Sequence, residues 1–196
     1  MGAAVQCGKE ASERRSSPFK VLISTILSQR TRDANTMLAS KRLFARYSTP
    51  EEIASAPLKE LRALVKPSGF YKAKAKKIKS TCRELINRFH GKVPATLDEL
   101  LSLPGVGRKT ANCVLCYGFG KPAIPVDVHV HRISNRLGLV RTKAPEDTER
   151  ALMRLIPKKL WISTNHTMVR FGRKVCLPLK PRCIACPLKK YCAHYM

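Results

Sequence analysis

Four cysteines crowd the last 21 residues as Cys176-x6-Cys183-x2-Cys186-x5-Cys192. Four thiolates in one loop suffice to hold either a tetrahedral zinc ion or a cluster of four irons and four sulfurs. Zinc would be favoured by two short Cys-x2-Cys pairs. Only one spacing here is that short, which tilts the reading toward iron-sulfur. Lys180, Arg182, Lys189 and Lys190 make the loop basic, so a metal could fold a polyanion-contacting surface there without transferring electrons. Cys7, Cys82, Cys113 and Cys116 are scattered among apolar or basic neighbours, and Cys113-x2-Cys116 reads as packing inside an apolar helix.

A second constellation is Leu103-Pro104-Gly105-Val106-Gly107-Arg108-Lys109-Thr110. Gly105 and Gly107 in a tight turn between helices let backbone N–H groups approach a ligand with no Cβ in the way, and a phosphate suits that place. The following helix points its positive dipole end there and Arg108 adds a full charge, while the plain alternative is a glycine-rich connector. Lys109 lies in the first turn of that helix, where dipole and cations favour the neutral amine, a nucleophile able to add to C1′ of a deoxyribose. In so basic a chain the ordinary role of a lysine is a solvated phosphate contact, and spacing by itself favours that role. Asp127 precedes Val128-His129-Val130-His131 and reads first as an N-cap. A carboxylate fixed there stays ionised and could also stabilise an oxocarbenium-like sugar or orient an attacking amine. His129 and His131, two residues apart, point to different helix faces and read as packing or surface residues.

The elements that must position these groups are helices. Phe19, Val21, Leu22, Ile23, Ile26 and Leu27 recur at the spacing of a buried helix, with Ser16-Ser17-Pro18 supplying a cap and an N1 proline. Further helices are predicted over residues 34–47, 58–65, 72–89, 96–101, 109–119, 128–137, 146–155 and 166–175, and strand alternation is nearly absent. Connectors are short and marked by Pro and Gly, so the chain reads as all-α with the cysteine loop as an appendage.

With 38 Lys and Arg against 13 Asp and Glu, the formal charge of +25 points to a polyanionic partner. Nucleic acid fits better than membrane, because no long apolar run is present, the N-terminus lacks a secretory apolar region, and Gln6 stands where a myristoylation signal wants Ser or Thr. The protein reads as intracellular, in the cytoplasm or nucleoid if prokaryotic, and as a monomer.

From about Ser16 to Cys192 these elements, in this order, resemble the endonuclease III family of the helix-hairpin-helix glycosylase superfamily. The most specific parts are Leu-Pro-Gly-Val-Gly-Arg-Lys-Thr-Ala-Asn at 103–112, Val-Asp-Val-His at 126–129 and the cysteine spacing of 6, 2 and 5. The resemblance implies a two-domain fold with a DNA-binding cleft: a six-helix domain over 17–121, and a cluster domain combining 1–16 with 122–196 around the loop 176–192. It implies that Lys109 is the Schiff-base nucleophile, Asp127 the catalytic carboxylate, and Cys176, Cys183, Cys186 and Cys192 the ligands of a [4Fe-4S] cluster. The activity implied is that of a bifunctional DNA glycosylase and apurinic/apyrimidinic lyase, which flips an oxidised pyrimidine out of duplex DNA.

Two positions depart from the family pattern. In Ser28-Gln29-Arg30-Thr31, Arg30 stands at the position of a void-filling Gln, and Gln29 or Arg30 is expected to fill that gap. Phe70 stands where a Leu wedge is usual, and its larger ring can still separate bases. Both bear on lesion preference. Alternative readings are a thymine or uracil mismatch glycosylase of the same superfamily, a non-catalytic iron-sulfur DNA-binding protein, and a zinc-stapled DNA-binding module.

Overall fold

The computed structural model describes residues 17–195. The expected grouping of residues 1–16 with the cysteine loop, the share of Ser16 in the first cap, and Cys7 lie outside the described residues. Among the described residues there is no strand, and ten α-helices are joined by short turns. The chain divides into two compact units between Gly120 and Lys121.

The first unit is built on α1, Pro18–Ser28, whose Phe19, Val21, Leu22, Ile23, Ile26 and Leu27 are all buried. A helix apolar on so many faces belongs in the centre of a core, and each buried Leu or Ile contributes about 1.5–3 kcal/mol. Around it lie α2 (Asp33–Arg46), α3 (Pro50–Ser55), α4 (Leu58–Val65), α5 (Tyr71–Phe89), α6 (Leu97–Leu101) and α7 (Arg108–Cys113). α1 packs against α2, α5 and α7.

Two stretches of this unit differ from the predicted elements by more than a residue. α3 was not among them, because six residues show no apolar stripe; a capping box holds it, with Thr49 Oγ1 accepting from Glu52 N and the Glu52 carboxylate accepting from Thr49 N, both at 3.2 Å. The stretch 109–119 is α-helical only to Cys113 and continues as a π-helical turn, Val114–Gly118. Cys113 and Cys116 are buried there, and Cys82 is buried in α5 with its thiol pushed up to about 12, chiefly by burial. All three are core residues.

The second unit holds α8 (Val128–Leu137), α9 (Pro145–Leu155) and α10 (Trp161–Lys174). Ile124, Val126, Val130, Val140 and Leu152 form its core, with Trp161 and Met168 packed against them. α10 starts five residues before the predicted His166, because a 3-10 turn at Lys158–Leu160 leads into it and Trp161 Nε1 donates to Ile156 O at 2.8 Å. The cysteine loop follows α10. No helix of the described residues is long and apolar enough to cross a membrane.

Candidate functional site

In the first unit α6 and α7 form a helical hairpin closed by residues 102–107. Gly105 has φ of +78°, which calls for glycine, and a Cβ there would crowd the Lys77 side chain, with Cδ at 3.0 Å. Gly107 carries neither demand: its φ is −92°, and nothing lies within 4 Å of where a Cβ would stand. It is the N-cap of α7 and offers no capping side chain, so the first N–H groups of the helix have no side-chain acceptor from that position. Two side chains hold the turn from within. Thr81 Oγ1 donates to Pro104 O at 2.7 Å, and Gln29 Nε2 donates to Gly105 O at 3.0 Å, with Thr110 Oγ1 a further 3.4 Å neighbour. Arg108 and Lys109 open α7, the first half-buried and the second exposed.

Gln29 is thus committed inside the unit, and the next residue is the one that faces outward. Arg30 is exposed, with φ of 54°. Its guanidinium carbon lies 5.7 Å from the centroid of the Phe70 ring, a cation–π stack. Phe70 is 65% exposed and also left-handed, with φ of 46°. Left-handed backbone in non-glycine residues costs about 1 kcal/mol each and persists where the surroundings impose it. The preceding Gly69, at φ 63° and ψ 161°, occupies a region essentially reserved to glycine, which is why the chain reads Gly-Phe here.

Lys74 was not singled out by the sequence, being one cation among 38. It is only 4% exposed, and its Nζ donates to Leu27 O at 2.7 Å, Thr31 Oγ1 at 2.6 Å and Ser68 O at 2.8 Å. Burial pushes its pKa down to about 8. Thr31 Oγ1 also donates to Ser68 O. The end of α1 and the turn before α5 are therefore joined through one ammonium and one hydroxyl.

In the second unit Asp127 caps α8 as its sequence position suggests. Its Oδ1 accepts from His129 N at 2.9 Å and Val130 N at 3.0 Å, which leaves Oδ2 outside the cap. The adjacent Val128 is 74% exposed, an apolar surface at the helix start. His131 Nδ1 pairs with Thr148 Oγ1 at 2.7 Å and His129 Nδ1 with Arg132 Nη2 at 3.1 Å, so both imidazoles are engaged in packing contacts.

Cys176, Cys183, Cys186 and Cys192 all line one pocket, together with Arg136, Phe171 and His194. Among the described residues no three His, Cys, Asp or Glu groups converge on a single metal ion. Four cysteine sulfurs around one pocket are the donor chemistry of either a tetrahedral zinc site or a polynuclear iron-sulfur cluster. Arg136 contributes what sequence reasoning missed: its Nη1 lies 3.5 Å from Cys176 Sγ and donates to Leu177 O at 2.7 Å, while Nη2 donates to Pro178 O at 2.8 Å. One guanidinium both holds the loop and sets a positive charge beside the Cys176 sulfur. No signal in the sequence separates Arg136 from its many cationic neighbours.

Residues 23–158 match the family model of the HhH-GPD superfamily of base excision DNA repair proteins. An endonuclease III of Thermotoga maritima is 55% identical over 94% of this chain and 86% of its own length, and one of Bacillus subtilis is 44% identical over 90% and 81%. The fold is similar to that of an endonuclease III trapped as a covalent intermediate with DNA, with a TM-score of 0.88 and 43% identity over 93% of this chain and 86% of that one. A thermostable thymine-DNA glycosylase is similar at a TM-score of 0.84 and 30% identity, over 95% and 87%. The hairpin, the capped aspartate and the cysteine loop thus occur in a chain that belongs to the endonuclease III family of the helix-hairpin-helix base excision DNA repair superfamily.

Proposed function

We propose that this protein is a bifunctional DNA glycosylase and apurinic/apyrimidinic lyase that removes oxidised pyrimidines from duplex DNA. The observation that carries the reading is the exposed Lys109 in the first turn of α7, directly after a hairpin whose carbonyls are held by Gln29 and Thr81. Gly105, Gly107 and Arg108 take a backbone phosphate at this turn, where amides and a guanidinium bind without regard to sequence.

Lys109 Nζ, as the neutral amine, forms a bond to C1′ of the flipped nucleotide. The C1′–N bond to the base breaks, and the base leaves with the electron pair and takes up a proton; the amine nitrogen then gives up its proton and the C1′–O4′ ring bond breaks, O4′ taking up a proton, as the Schiff base forms. Loss of a C2′ proton then expels the 3′ phosphate oxygen by β-elimination, cutting the strand 3′ to the abasic site. Asp127, held by its cap through Oδ1, keeps Oδ2 for the positive charge that develops on the sugar. The relation to an endonuclease III trapped covalently on DNA supports this chemistry.

Cys176, Cys183, Cys186 and Cys192 hold a [4Fe-4S] cluster that staples the basic loop for contact with the duplex. We assign the two compact units to a helical domain bearing Lys109 and a cluster domain bearing Asp127. The reading extends to a monomer acting on genomic DNA inside the cell, at the nucleoid in a prokaryote.

Similarity to a thymine-DNA glycosylase makes mismatched thymine or uracil the competing substrate. A panel of duplexes decides: excision and strand scission are expected at oxidised pyrimidines, and activity confined to thymine or uracil mismatches overturns the substrate assignment.

A further inference from the structure

Arg30 and Phe70 come from turns far apart in sequence, yet they stack as a pair, both in left-handed backbone and both exposed. Such a pair needs something that fixes its two turns to each other. Covering its faces with solvent-exposed side chains cannot do this, because a cation–π contact at an exposed site is weak. The buried groups behind the pair can.

We infer that Lys74 is a positioning residue for lesion recognition: by tying the end of α1 to the turn before α5, it fixes the stacked Arg30 and Phe70 that meet the duplex. The inference rests on the reading of Arg30 and Phe70 as DNA-contacting residues.

An ammonium has three N–H donors, and here each finds an acceptor: Leu27 O at 2.7 Å, Thr31 Oγ1 at 2.6 Å and Ser68 O at 2.8 Å. Leu27 and Thr31 flank Arg30 on one side of the joint, and Ser68 precedes Gly69 and Phe70 on the other. Thr31 Oγ1 closes the triangle by donating to Ser68 O. Ser68 is itself only 1% exposed and its hydroxyl donates to Val65 O at 2.7 Å, so the carbonyl that Lys74 holds is anchored to the end of α4. Gln29, in the same turn as Arg30, reaches the hairpin through Gly105 O. The turn after α1 is thereby fixed at once to the turn bearing Phe70 and to the turn preceding Lys109. A lysine buried on the inner face of α5 makes no contribution to the solvated basic surface that the chain's charge otherwise serves, and no apolar residue offers three donors at that point.

Steady-state kinetics on a lesion duplex test the inference with Lys74→Met, Thr31→Val, Arg30→Ala, Phe70→Ala and, as a control on the exposed face of the same helix, Lys76→Met. Loosened positioning is expected to raise KM about tenfold or more in Lys74→Met, with a smaller rise in Thr31→Val, while kcat changes less than KM. Arg30→Ala and Phe70→Ala should raise KM in the same way, and adding Lys74→Met to their double variant should have little further effect on KM. Lys76→Met should match the parent. Should Arg30→Ala and Phe70→Ala raise KM while Lys74→Met and Thr31→Val only lower the melting temperature, the positioning role is overturned and the reading of the pair survives. Unchanged KM in Arg30→Ala and Phe70→Ala sinks the reading of the pair instead. Where Lys74→Met fails to fold, the near-isosteric Thr31→Val decides, because it removes the bridge to Ser68 and one Lys74 acceptor.

Discussion

The Arg30 guanidinium stacks on the Phe70 ring at 5.7 Å, and the two residues share left-handed backbone at φ 54° and 46°. The stack gives Phe70, at the position where the family pattern has a wedge, a cationic partner. In a double-mutant cycle on the melting temperature of the free protein, the coupling between Arg30→Ala and Phe70→Ala is expected at about 0.5–1 kcal/mol. Additive effects there contradict the stack.

Gln29 is expected to act through the hairpin. Gln29→Ala strips the side-chain donor from Gly105 O and should cost about 1–2 kcal/mol of stability while weakening binding to a duplex containing an abasic-site analogue several-fold. Thermal unfolding and a fluorescence titration check both, and full binding in a destabilised variant would separate Gln29 from the site.

Lys74 carries a pH signature of known sign. Its pKa falls from 10.5 toward about 8 on burial, so between these values the unfolded chain holds the proton longer than the folded one. Stability from this residue is therefore constant below about pH 8 and rises with pH across the window, by up to about 3 kcal/mol. Urea midpoints of the parent, taken relative to Lys74→Met, should shift upward from pH 8 to 10.5. A flat difference contradicts the assignment of a desolvated ammonium.

The sequence made helices such as α4 and α8 legible to their end residues, because Leu58–Val65 and Val128–Leu137 carry clear apolar stripes. Asp127 as a cap and the cysteine spacing were legible for a related reason: local rules relate each to its near neighbours. α3 was legible in principle through Thr49 and Glu52, a capping-box pair in a segment too short for periodicity. Lys74, Thr31 and Arg136 were not legible. Each works through backbone carbonyls or side chains brought near by folding, such as Ser68 O at Lys74 and Cys176 Sγ at Arg136, and nothing in their own neighbourhoods marks them. The inward turn of Gln29 belongs to the same class, because only the fold brings Gly105 O within its reach.

The cysteine loop makes an analytical prediction. Freshly purified protein should be brown and contain about four irons with matching sulfide per chain, and Cys186→Ser should lose colour and iron together. Arg136→Ala should retain less iron than the parent after exposure to a chelator, because it removes both the loop contacts and the charge beside Cys176. A colourless protein with one zinc contradicts the cluster.

The central claim is that Lys109 bonds to the deoxyribose. Borohydride added during turnover of a duplex carrying an oxidised pyrimidine should reduce the Schiff base to a stable protein–DNA adduct, with the cross-link mapping to Lys109. The adduct is expected in the parent and absent in Lys109→Gln while duplex binding persists. An adduct of equal yield in Lys109→Gln would contradict that claim.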